Sequence, residues 1–165
     1  MTQRRHSRNR IYWTRIVFFP NVLLKKNCGV RDQPTRRGKI MRRTLLTSGT
    51  LLLLLGLLLG TIIERFASPS IASDAHVAGV QHGMLLMILG LAWRHADLAK
   101  LAVTCVSLNI FGLYGIWSAF LIGAMIGDPY PSASTTTYVI FVASSWFLIC
   151  GVAIFLHGLW RHRKD

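Results

Sequence analysis

TLLTSGTLLLLLGLLLGTII, residues 44–63, is a run of 20 uncharged positions held between Arg43 and Glu64. A hydrocarbon core about 30 Å thick takes roughly 20 helical residues to cross, so this stretch predicts a membrane-spanning α-helix. The whole composition agrees: of 165 residues 52% are hydrophobic and 15% charged, mean hydropathy is +0.44, and soluble domains carry roughly 25% charged residues.

Working outward, Glu64 to Asp74 is a short polar loop with Pro69. The second span is read from near His76 to Trp93, closed by Arg94, His95 and Asp97. Its apolar part, MLLMILGLAW, is too short to cross unless Gln81 and His82 also lie within the bilayer, where polar groups are costly and face a protein interior or cavity. Leu101 to Gly127 supplies 27 uncharged residues, including Asn109, Tyr114 and Trp117, and the third span is placed at 101–126. A loop rich in Pro, Ser and Thr leads to the fourth span, 138–160, stopped by Arg161, Arg163 and Lys164. The expected fold is all-α, an integral membrane four-helix bundle.

The formal net charge of +13 suggests nucleic acid as a partner, but its distribution argues otherwise. Residues 1–43 hold 13 of the 19 Lys and Arg and one of the six acids. A basic arm beside an apolar helix is a topogenic flank that resists translocation. Short-loop Lys and Arg lie in that arm, at Arg94 and Lys100, and in the tail, against Arg65 alone on the other side. Both termini are therefore expected in the cytoplasm, in the cytoplasmic membrane if the chain is bacterial, with no nucleic acid bound.

Residues 1–40 form a basic arm and 41–165 the membrane domain. The arm contains YWTRIVFFPNVLLKK, too short to span and broken by Arg15 and Pro20. It is read as an interfacial segment, an Arg-rich targeting sequence or translated upstream sequence. The last is favoured, because Met41-Arg-Arg directly before a hydrophobic helix looks like a natural start, so the arm is expected to be disordered or not native.

Cys28, Cys105 and Cys150 show no CxxC or CxxH spacing, which excludes a disulfide framework or zinc site; a buried Cys acts as a small hydrophobe. Gly56 and Gly60, Gly79 and Gly83, and Gly123 and Gly127 make three GxxxG spacings that favour tight helix packing. There is no Ser-His-Asp arrangement, phosphate loop or paired intramembrane carboxylate, so hydrolases, ATPases and proton-driven pumps lack their usual signatures.

Chemistry is concentrated in the histidines. His82 lies about 9 Å further along the second span than His76 and about 120° round it, so one metal held by both is not expected. His76 is read at the helix entrance, where a plain interfacial residue competes with a functional one. An imidazole inside the bilayer suits haem iron. His157, Trp160, Trp93 and His95 read as interfacial anchors. For Asn109 and Tyr114 the plain alternative is an interhelical hydrogen bond of about 0.6 kcal/mol.

A first span after a basic pair, a Pro-containing loop and then DAHVAGVQHGMLLMILGLAW resembles the hydroxylaminobenzene mutase family and, more distantly, the styrene oxide isomerases, over Met41 to Arg161. The most specific positions are His76, Gly79, His82, Gly83 and Trp93, with His82 standing where the family has Asn. The resemblance implies a homo-oligomer of four-helix subunits, with His76 as axial ligand of haem b between subunits. It also implies His82 in the substrate-orienting Asn position and Tyr114 as the best match for a substrate-orienting Tyr, with Asn109 and Trp117 as alternatives. It further implies an intramolecular isomerase acting on a small apolar aromatic, a hydroxylaminoarene or an epoxide. The rivals are a haem carrier without isomerase activity and a non-catalytic bundle.

Overall fold

A computed structural model describes residues 36–96, 98–127 and 134–162. Four helices carry the fold: α1 Arg36–Gly60, α2 Pro69–Ala92, α3 Ala102–Ile126 and α4 Thr135–His162. Among the described residues there is no strand, and each helix is long and apolar enough to cross a membrane. The protein is an all-α, multi-pass membrane protein.

Helix boundaries extend the expected spans where local chemistry allows. α1 starts at Arg36, inside the arm read as 1–40, because Arg and Lys are good helix formers and the side chains of Arg36, Arg37, Lys39, Arg42 and Arg43 are exposed. The readings of residues 1–35 lie outside the described residues. α2 starts at Pro69, seven residues before His76. Proline at the first helical position lacks only an N–H that would have no intrahelical partner anyway. His76 is therefore two turns inside the helix rather than at its entrance, and Gln81 and His82 fall at its middle, as a full crossing requires.

Neighbouring helices run antiparallel as two hairpins, α1 with α2 and α3 with α4, joined through α2 and α3. Glycine sets the closeness of both. A Cβ placed on Gly56 would lie 2.8 Å from the Gly79 carbonyl carbon, and one on Gly83 would lie 2.6 Å from the Leu53 amide nitrogen and 2.7 Å from the Gly49 carbonyl oxygen. In the other hairpin a Cβ on Gly112 would lie 2.7 Å from the Leu148 amide nitrogen, and Gly115 faces Ser144. The third GxxxG spacing has a different job. Gly127 takes φ 82° and donates its N–H to Gly123 O at 2.9 Å, so it caps α3 in the left-handed conformation that glycine adopts without a Cβ penalty. The Ser68 amide donates to Ala124 O at 3.2 Å, tying the α1–α2 connection to this end of α3.

Leu45, Leu52, Leu86, Leu113 and Cys105 are the centre of the core. Trp93, expected as an interfacial anchor, is instead buried at 7% exposure, its ring centroid 6.0 Å from that of Phe155. The indole is covered by packing against this ring rather than placed at an interface. Trp160, His157 and His95 are exposed. Cys105 is buried and Cys150 exposed on α4. The outer face of α4, with Trp146, Ile149 and Leu156 all more than half exposed, is an apolar surface of the kind lipid covers.

Candidate functional site

In a bilayer every polar group needs a protein partner, so the hydrogen bonds of the spans separate structural from available groups. Hydroxyls mostly fold back on their own helix: Thr47 donates to Arg43 O at 2.9 Å, Thr50 to Leu46 O at 2.8 Å, Ser118 to Tyr114 O at 2.8 Å and Ser145 to Phe141 O at 2.8 Å. Among the described residues, three buried side-chain atoms have no partner: His82 Nδ1, Trp117 Nε1 and Asn109 Oδ1. Two of the three converge on one stretch of α2.

That stretch is centred on Gly79. Three residues turn a helix through about 300°, so His76 and His82 flank Gly79 by about 60° on either side and one turn away along the axis. On the α1 side, His76 Nδ1 lies 2.7 Å from Gly56 O. A carbonyl oxygen can only accept, so Nδ1 carries a proton and Nε2 is the ring nitrogen left for another partner. The ring occupies the space left by Gly60, where a Cβ would come within 2.7 Å of Nδ1 and 2.8 Å of Cε1. The Gly56–Gly60 pair thus does two things: Gly56 meets the backbone of α2 and supplies a carbonyl, and Gly60 makes room for an imidazole.

On the α3 side, the Trp117 indole fills the Gly79 notch, where a Cβ would lie 2.8 Å from Nε1. His82 is half-buried one turn further along α2, with a hydrogen bond between its ring and the Leu113 backbone of α3. Leu113 and Trp117 are themselves one turn apart, so His82 and Trp117 occupy adjacent layers of the same α2–α3 seam. Gln81, the other polar residue placed in this span, is exposed.

The remaining sequence candidates lie elsewhere. Tyr114 donates its hydroxyl across to α1, 2.8 Å from Ser48 O, which is the interhelical hydrogen bond given above as the plain alternative. Asn109 is 1% exposed and packed against Gly151 of α4, where a Cβ would lie 2.6 Å from Nδ2. Its amide donates to Cys105 O of its own helix at 2.8 Å, and the contact between helices is made by the Cys105 thiol, which donates to Gly151 O at 3.4 Å. The structure therefore brings His76, His82 and Trp117 together around Gly79 and leaves Asn109 in the α3–α4 seam, about 12 Å along α3 from Trp117. The carbonyls of Gly56 and Ser48 have no signature in sequence. The one available signal is that antiparallel pairing of the first two spans sets glycines opposite His76 and Gly79.

Residues 41–161 match the family model described as styrene oxide isomerase. Two curated relatives, both from Ectopseudomonas oleovorans, are similar over 88 residues, 53% of this chain: hydroxylaminobenzene mutase HabB at 35% identity and hydroxylaminobenzene mutase HabA at 32%. The match spans 54% of the first relative and 65% of the second, so this chain covers between half and two thirds of their length. No solved structure matches the chain significantly.

Proposed function

The chain belongs to the styrene oxide isomerase family, and on that premise we propose that it is a membrane-embedded intramolecular isomerase of a small apolar aromatic, a hydroxylaminoarene or an aryl epoxide. The observation that carries the reading is the α2 segment centred on Gly79, where His82, at the middle of a helix long and apolar enough to span, keeps its buried Nδ1 without a protein partner. A buried polar atom with no partner carries a desolvation penalty of about 1–3 kcal/mol, which a substrate oxygen would relieve.

Rearrangement of a hydroxylaminoarene breaks N–O and forms C–O on the same molecule. The ring carbon releases a proton, the nitrogen takes one up, and reactant and product are isomers. No water or co-reactant is consumed, which suits a site in the bilayer. An apolar aromatic partitions into lipid and can enter sideways between helices. His82 would hold the migrating oxygen. Tyr114 would join it only by giving up its bond to Ser48, and Asn109 would serve as a packing group between α3 and α4.

Haem b fits His76. His76 would hold it: a carbonyl partner on Nδ1 is the arrangement that orients metal-ligating histidines and leaves Nε2 to bind. Bound there, haem iron would supply a Lewis acid towards the substrate oxygen. With it goes the proposal of a homo-oligomer whose termini face the cytoplasm, the side that carries Arg94, Lys100 and the arginines of α1.

Product analysis tests the reading. Protein purified in mild detergent and supplied with haem should convert hydroxylaminobenzene or styrene oxide to a product of equal mass, and should show a Soret band that His76→Ala loses. A folded preparation that changes neither compound would overturn the isomerase assignment. A band unaffected by His76→Ala would remove His76 as ligand.

A further inference from the structure

The two ends of the bundle differ in charge. Because neighbouring helices are antiparallel, the start of α1, the end of α2, the start of α3 and the end of α4 meet at one end. There the Trp93 ring lies 6.0 Å from that of Phe155, and Met41 and Leu98 pack into the same cluster. Every described Lys and Arg except Arg65 stands at this end, whereas the acids among the described residues, Glu64 and Asp74, stand at the other. The basic side chains from Arg36 to Arg43 are exposed, and so are those of Arg94 and Lys100. Arg94 donates its Nε–H to His95 Nε2 at 2.8 Å, and the side chains of Arg42, Arg43 and Lys100 have no partner among the described residues. Topogenesis accounts for the side on which such charges lie; it leaves them in need of counter-anions in the assembled protein.

Depth and neighbours say what the anion is. Arg42 and Arg43 directly precede the uncharged run that begins at Thr44, and Arg36 lies about 12 Å further out along α1. This part of the helix therefore passes through a headgroup layer about 5–8 Å thick. Leu91, Leu101 and Trp160 adjoin Arg94, Lys100 and Arg161 in sequence and are 55%, 48% and 58% exposed. Cations beside exposed apolar side chains match the order of phosphate and acyl chain in a phospholipid. A soluble polyanion would use the charges and leave the apolar groups uncovered.

We propose that this end of the bundle is a binding surface for anionic phospholipid, with Arg42, Arg43, Arg94 and Lys100 holding headgroup phosphates above acyl chains that lie along Leu91, Leu101 and Trp160. The surface is independent of the isomerase reading and of haem, and it selects which lipids surround the protein.

Brominated lipids provide the test. The full chain is reconstituted in phosphatidylcholine vesicles containing brominated phosphatidylglycerol or brominated phosphatidylcholine, and the difference in quenching between wild type and Trp160→Phe reports the lipid beside Trp160. At low salt the phosphatidylglycerol should bind about 10-fold more tightly than the phosphatidylcholine. The preference should shrink to about 2-fold or less near 1 M salt, where charges are screened beyond about 3 Å. Arg42→Gln, Arg43→Gln, Arg94→Gln and Lys100→Gln together should abolish it with helical circular dichroism unchanged, and Arg65→Gln, at the other end, should keep it. Should the fourfold variant not fold, Arg94→Gln with Lys100→Gln carries the test, with an expected fall of about 3-fold. Equal quenching by the two lipids in the wild type, or a preference that survives in the folded variant, would overturn the proposal. Inorganic phosphate that erases the preference at matched ionic strength would overturn it too, since the surface would then be a phosphate site and not a lipid one.

Discussion

The α1–α2 and α3–α4 hairpins are closed by the same device, glycine facing backbone, and they differ in which polar groups they leave open. Between α3 and α4, Cys105, Asn109 and Gly151 form a local chain in which the amide nitrogen and the thiol both have acceptors. Where α2 meets α1 and α3, His76 is anchored to Gly56 O, while His82 Nδ1 and Trp117 Nε1 are left open one turn apart. Close packing is thus shared, and each seam leaves a buried polar atom open, Asn109 Oδ1 in one and His82 Nδ1 and Trp117 Nε1 in the other; what distinguishes the α2 seam is that its open groups are ring nitrogens. In lipid, helix association rests on packing and hydrogen bonds more than on hydrophobicity, so a fold can place its ties in one seam and its chemistry in another.

The largest effects should come from filling the glycine contacts. Gly83→Leu and Gly112→Leu each drive a side chain into backbone and should destabilise by about 3 kcal/mol or more in SDS-titrated micelles, overpacking at its costly end. Similar losses would confirm that the hairpins are closed alike; a benign Gly83→Leu would show that the α1–α2 approach is looser than the structure has it. Asn109→Leu is expected to change stability by no more than about 1 kcal/mol, since it removes one bonded nitrogen together with one unpartnered oxygen of similar consequence. Its turnover should stay within a few-fold of wild type. The smallest effect should be Tyr114→Phe, which loses the hydroxyl bond to Ser48 O and should cost about 0.6 kcal/mol in the same titration.

Much of this was legible in the sequence. Four spans follow from uncharged runs such as 44–63, because the bilayer thickness fixes their length. The second helix was drawn too short at its start, since Ser70, Ser73 and Asp74 look like loop and Pro69 looks like a breaker, whereas proline opens this helix. With that start His76 falls at the helix entrance, whereas the helix places it two turns inside. The resemblance picked out His76 and His82, and it ranked Trp117 below Tyr114 as a substrate contact. Sequence alone does not show that a backbone acceptor at Ser48 takes the tyrosine hydroxyl or that a Gly79 notch receives the indole. Trp93 was misplaced for a related reason: an aromatic residue at a span end is ordinarily an anchor, and only the position of Phe155 shows it to be core.

The most direct test of the account is the rate of hydroxylaminobenzene rearrangement for His82→Ala and Asn109→Ala side by side, normalised to folded protein. The account predicts a loss of about 100-fold or more for His82→Ala with its fold and any haem retained, and a rate within a few-fold of wild type for Asn109→Ala. A His82→Ala protein that keeps its rate while Asn109→Ala loses it would place the chemistry in the α3–α4 seam and contradict the division drawn here.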